Sequence, residues 1–153
     1  MPHLVATAHL DAPIERVFAL GSEFRRYPEW NVTYRLVHEV TEEPVTVGTR
    51  IHLSATTLGQ TRDGWDEVVE YEPPRLMKTV GRRSDGTEVT ITYRATPSGT
   101  GTDLQVEMDY ELPAGILAKI ADRLFIERAI DRDVRHSLEN FQAIVEQPAP
   151  ALV

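Results

Sequence analysis

The chain has 153 residues, enough for one domain that buries roughly two-thirds of its unfolded surface. Its hydrophobic fraction of 41% and charged fraction of 26% are ordinary for a globular protein, and no apolar run reaches the roughly 18–20 residues of a membrane span. A formal net charge of −8 argues against a general nucleic-acid binder, and the absence of cysteine excludes disulfides, thiolate ligands and thiol nucleophiles.

Met1-Pro2-His3-Leu4 lacks the basic segment and apolar core of a secretory signal, so the expected location is cytoplasmic. His3 to Leu10 alternates apolar and polar residues and predicts a first strand. Asp11-Ala12-Pro13 ends it and starts a helix, with Glu15 in the first turn and Ile14, Val17, Phe18 and Gly21 at helical spacing. A short helical piece over Ser22 to Tyr27 breaks before Pro28.

From Thr33 the period becomes two. Tyr34, Leu36, His38 and Val40 read as one strand face, Ile51, Leu53 and Ala55 as the next, and Trp65, Glu67, Val69 and Tyr71 as a third. Leu76 to Arg83 is a strand without an assignable inward face, and Ser84-Asp85-Gly86-Thr87 carries hairpin chemistry. Val89, Ile91 and Tyr93 alternate beyond it. The clearest strand is Asp103 to Leu112, with Leu104, Val106, Met108, Tyr110 and Leu112 on one face and polar residues on the other. After Pro113 the pattern is helical to about Glu146, predicting one helix roughly 45–50 Å long. The tail over residues 147–153, with Pro148 and Pro150, is expected to be disordered, leaving one domain over residues 3–146.

This order of elements, with Leu10-Asp11-Ala12-Pro13-Ile14-Glu15-Arg16-Val17-Phe18, Tyr27-Pro28-Glu29-Trp30-Asn31, the Gly99-Thr100-Gly101-Thr102 turn and the long final helix, resembles the helix-grip superfamily. That superfamily (SRPBCC) takes in START lipid-transfer domains, plant pathogenesis-related allergens and polyketide cyclase/dehydrase-like proteins, and the last branch looks nearest. The resemblance implies an α+β fold: a seven-stranded curved antiparallel sheet around a long C-terminal helix, with two small helices after the first strand. It also implies a cavity between the sheet and the final helix, but not a reaction.

On a helical wheel Ile116, Ile120, Leu124, Ile130, Val134, Leu138, Phe141 and Val145 form one stripe, with Glu127 and Asp131 inside it. These carboxylates either line the cavity as polar or acid–base groups, or meet solvent, Arg128 and Arg132 after a phase shift near Phe125-Ile126. Glu67, between Trp65 and Val69, either anchors a ligand hydroxyl or acts as a base, or else pairs with Arg62, Arg82 or Arg94 or marks a strand register that is one residue out. The aromatic set Trp30, Tyr34, Trp65, Tyr71, Tyr93 and Tyr110 is expected to converge on one concave surface suited to a flat, mostly apolar ligand. Leu53, Met108, Ile120 and Leu124 complete the expected ligand-binding set.

His3, His9, His38, His52 and His136 show no metal-ligand spacing, there is no nucleophile elbow, and there is no phosphate loop. The expectation is therefore no metal, no cofactor and no identifiable catalytic residue. The leading reading is a protein, monomer or homodimer, that binds a small apolar molecule. A polyketide cyclase/aromatase acting by chain positioning and acid–base catalysis is the alternative, and a protein-interaction module without a ligand is the third.

Overall fold

The computed structural model describes residues 2–120 and 122–148. Seven strands form one antiparallel sheet: β1 (His3–Leu10), β2 (Tyr34–Val40), β3 (Arg50–Thr57), β4 (Gln60–Glu72), β5 (Leu76–Arg83), β6 (Glu88–Ser98) and β7 (Gly101–Glu111). Their spatial order is β1-β7-β6-β5-β4-β3-β2. Strands two to seven follow one another as a meander, and β1 closes onto β7. Between β1 and β2 the chain crosses the sheet through α1 (Ile14–Ser22), one 3-10 turn over Phe24–Arg26 and α2 (Tyr27–Trp30).

The small helices are anchored by aromatic packing. Tyr27, 2% exposed, lies 4.5 Å from Phe24, 4.6 Å from Trp30 and 4.9 Å from Tyr34 between ring centroids. Trp30 meets Phe141 of the last helix edge-on at 5.0 Å. The Tyr27 hydroxyl donates to the Gly21 carbonyl, so its one polar atom is satisfied inside the core.

Along β7 the alternation holds throughout: Leu104, Val106 and Tyr110 are buried. Val89, Ile91 and Tyr93 of β6 and Ile51, Leu53 and Ala55 of β3 also face the helix side, as their period predicts. Two strands depart from a simple alternation. In β2, register shifts after Tyr34 and after Val37 place Tyr34, Val37 and Val40 inward and leave Leu36 59% exposed, so Leu36 and His38 are not on the inner face. In β4 the inward residues are Gly64, Asp66 and Val68, one position out of phase with the expected Trp65 and Glu67. A bulge between Val68 and Glu70 then restores Tyr71 to the inner side, against Phe18 at 5.5 Å. A bulge adds one residue to one strand, reverses the facing of everything beyond it and bends the sheet.

The expected single final helix is two. α3 (Ala114–Lys119) ends where Ile120 adopts extended backbone, and α4 (Arg123–Val145) starts at an Asp122 cap whose carboxylate accepts from the Phe125 N–H at 3.1 Å. The restart changes the helical phase. Ile126 enters the buried stripe with Ile130, Leu138, Phe141 and Val145, whereas Leu124 is 52% exposed. Of the expected tail, Gln147 is held by its N–H to the Ile144 carbonyl and by Arg16 on its own carbonyl; residues 149–153 lie outside the described residues.

Candidate functional site

Between the inner face of the sheet, α3 and α4 lies a cavity of about 610 Å³, within the range of small-molecule sites. Its floor and far wall are apolar: Val89 and Ile91 of β6, Val106 and Met108 of β7, and Ile130, Val134 and Leu138 of α4. Ile116 and Ile120 border it from α3 and the break after it. Of the residues expected at a ligand, Trp30, Tyr34, Tyr93, Met108, Tyr110 and Ile120 line this cavity.

The other expected residues stand elsewhere. Leu53 is fully buried in the core behind the wall, and Tyr71 packs on Phe18. Trp65 and Glu67 are on the outer face: Trp65 stacks on His52 at 4.8 Å beneath the Arg50 guanidinium, and Glu67 is exposed opposite Arg50. Leu124 faces outward. Glu127 is exposed, and Asp131 pairs with Arg135 at 3.0 Å, one turn on, rather than with Arg128 or Arg132. Asp133 is the acidic residue of α4 that borders the cavity. A face counted through the β4 bulge misplaces Glu67, whereas Glu127 and Asp131 take the outward, phase-shifted alternative because the helix restarts just before them.

One wall of the cavity is polar, and its key residue escaped the sequence reading. Asp66 of β4 is 4% exposed. It accepts the Tyr34 hydroxyl on one oxygen and Nη1 of Arg83, at 2.7 Å, on the other. Tyr34 and Arg83 themselves border the cavity. The site exists because two glycines make room for it. A Cβ on Gly81 would sit 2.0 Å from Oδ1 of Asp66, and one on Gly64 would sit 2.7 Å from Cδ of Arg83. Glycines that each face a charged residue across adjacent strands, Gly64 opposite Arg83 and Gly81 opposite Asp66, were the available signal, but only once β4 and β5 were paired in register.

The electrostatics follow from burial. Burial, then the Asp66 carboxylate, pushes the Tyr34 phenol well above its ordinary range. Burial and Asp66 likewise raise Tyr93, and burial with Tyr93 and Tyr34 raises Tyr27. For Arg83, burial alone would lower the pKa, but Asp66 and then Tyr34 outweigh it and the guanidinium is held charged. Tyr110, across the cavity, is raised by burial and then by the nearby Glu127 carboxylate. The wall therefore presents phenols that keep their protons and a cation that keeps its charge. Among the described residues, Arg83 makes one side-chain hydrogen bond, to Asp66, out of five available N–H donors.

At the rim, Arg62 pairs with Asp85 at 3.3 Å beside Gln60 and Thr57. A second, much smaller cavity of about 20 Å³ is bordered by Ser22 and Trp30. Oγ of Ser22 and Nε1 of Trp30 are buried without a hydrogen-bond partner among the described residues, and the space suits about one bridging water.

On the sheet's outer face His38, His52 and Asp63 converge, their candidate ligand atoms all within 4.8 Å of one another. Spacing along the chain does not reveal this group, because it forms across three paired strands.

Comparison with known proteins finds a match over residues 1–146 to the family model described as polyketide cyclase / dehydrase and lipid transport. No curated protein is similar enough to match. Among solved structures, a Chromobacterium violaceum protein superposes with a TM-score of 0.73 at 19% identity, over 97% of this chain and all of its own. A Thermus thermophilus protein gives 0.74 at 20% identity, over 94% and 97%. The di-domain ARO/CYC protein BexL of the BE-7585A biosynthetic pathway gives 0.75 at 16% identity, over 97% of this chain and 51% of its own. At these identities the likeness is one of fold.

Proposed function

The chain belongs to the polyketide cyclase / dehydrase and lipid transport family, and from that premise we propose that it binds one small, mostly apolar molecule in the cavity between sheet and helices. The observation that carries the proposal is the make-up of that cavity: about 610 Å³ bounded mostly by apolar side chains, with a buried Tyr34–Asp66–Arg83 group at its polar side. Such a wall selects a ligand that is apolar over most of its surface and carries an oxygen function, a carbonyl or carboxylate, at one place. In this reading Arg83 receives the oxygen with its remaining N–H donors, Asp66 and Tyr34 hold the guanidinium in position, and Trp30, Tyr93, Met108, Tyr110 and Ile120 contact the apolar body.

Titration with a fluorescent aryl carboxylate tests this. Binding at one site per chain is expected, weakened about tenfold by Arg83→Met, in keeping with loss of one charge-assisted hydrogen bond, and weakened also by Tyr110→Ala. Trp65→Ala, on the opposite face, is expected to leave affinity unchanged. Equal loss in Trp65→Ala, or none in Arg83→Met and Tyr110→Ala, would remove the cavity as the site.

A second reading, cyclase or dehydratase activity, is favoured by one feature: a permanently charged guanidinium on the wall of a mostly apolar cavity. In this reading the guanidinium stabilises the enolate that forms when a reactive poly-carbonyl chain folds on itself. Turnover of a model polyketide by the purified protein, lost in Arg83→Met, separates this reading from simple carriage.

A further inference from the structure

We infer that the outer face of the sheet carries a binding site for one divalent metal ion of the zinc class, held by His38, His52 and Asp63. The site is independent of the cavity, because it lies on the other face of the same strands. Ile51, Leu53 and Ala55 of β3 face inward, and His52 and Ser54, between them, face outward. Asp63 of β4 pairs directly with Ser54 and sits diagonally from His52. His38 joins them because it falls at the second register shift of β2, between Val37 and Glu39, which turns it onto the outer face.

The geometry is close to what a metal ion requires. Nε2 of His52 is 3.7 Å from Oδ2 of Asp63, and Nε2 of His38 is 4.0 Å from Oδ1. Bonds of roughly 2.0–2.2 Å in a tetrahedron space ligand atoms about 3.4 Å apart, so side-chain shifts on the order of 1 Å close the site. Two imidazoles and one carboxylate suit zinc, nickel or copper rather than magnesium or calcium, which take all-oxygen shells. Three protein ligands leave a fourth position for water.

The surroundings fix the ligands in place. The His52 ring is held between two neighbours, stacked on Trp65 at 4.8 Å and 16° and meeting His38 at 4.7 Å and 41°. The Arg50 guanidinium lies 4.6 Å over the same indole. Ser54, 8% exposed, donates its hydroxyl proton to Oδ1 of Asp63 at 2.9 Å and therefore accepts from Nε2 of His38 at 2.7 Å. A metal ion takes the place of that Nε2 proton, and Ser54 continues to orient the carboxylate, the arrangement that outer partners serve at metal sites.

The test is a titration of the full chain, stripped with chelator, with zinc chloride, followed by calorimetry and by Trp65 fluorescence. One zinc per chain is expected, with affinity reduced at least about tenfold in each of His38→Ala, His52→Ala and Asp63→Asn and unchanged in His136→Ala. Nitrogen-resolved imidazole NMR of the unsubstituted chain gives an answer that needs no variant: zinc shifts the His38 and His52 signals and leaves His3, His9 and His136 in place. No binding up to about 1 mM zinc, binding that survives in all three site variants, or shifts at the other histidines overturns the assignment.

Discussion

Asp66 holds two partners at once, so removing its carboxylate and merely neutralising it have different consequences. Asp66→Ala leaves the Arg83 guanidinium buried without a counter-charge and is expected to cost about 3–5 kcal/mol by denaturant unfolding. Asp66→Asn keeps the shape and one acceptor and should cost less. Gly81→Ala is expected to destabilise by a comparable amount without touching a charge, because its methyl would occupy the space of Oδ1. If Gly81→Ala melts within about 0.5 kcal/mol of the parent, the ion pair is not seated as described. The buried phenols add a pH effect. Tyr27, Tyr34 and Tyr93 all have folded pKa values raised above their unfolded ones, so the folded state retains protons that the unfolded chain loses. Their contribution is fully present below about pH 10 and falls as pH rises, by up to about 1.4 kcal/mol per pH unit for each group. Phenolate absorbance for these three should appear only together with loss of near-ultraviolet circular dichroism. Their ionisation in a still-folded protein would contradict the burial.

α3 and α4 differ in their anchoring. α3 has no buried residue, whereas α4 buries Ile126, Ile130, Ser137, Leu138, Phe141 and Val145. Amide exchange should therefore be much faster across Ala114–Lys119 than across the middle of α4, making α3 the element that opens the cavity. Equal protection in the two would show α3 to be fixed. Asp122→Ala removes the cap of α4 and is expected to cost about 1 kcal/mol. Glu127→Gln and Asp131→Asn, on the outer side of α4, should each stay within about 0.5 kcal/mol of the parent.

Across the whole molecule, the cavity sets ligand capacity against stability. Filling it from the wall with Ile91→Phe should leave thermal stability unchanged or raised while lowering affinity for an aryl carboxylate, since empty apolar volume is exchanged for packed side chain. A variant that binds as tightly as the parent would place the ligand elsewhere. The same sheet serves two purposes through its two faces, an apolar inner surface for the cavity and an outer surface where His38, His52 and Asp63 meet. None of the described helices is long and apolar enough to cross a membrane.

What the amino-acid order determined alone was everything with a local period: the number of strands and the inner face of β7, β6 and β3, with Tyr93, Met108 and Tyr110 on it. In those stretches each residue's facing follows from its immediate neighbours. Pairing between strands decided the rest. The bulges in β2 and β4 are register events between paired strands: those in β2 turned Leu36 and His38 outward, and that in β4 put Trp65 and Glu67 outward and Asp66 inward. The restart of the final helix at Asp122 moved Leu124 off the buried stripe and reset the phase on which Glu127 and Asp131 had been placed. Asp66 with Arg83, and His38 with His52 and Asp63, become neighbours only when strands align. A side chain's alternation is a property of its own strand, but its partner is a property of the fold.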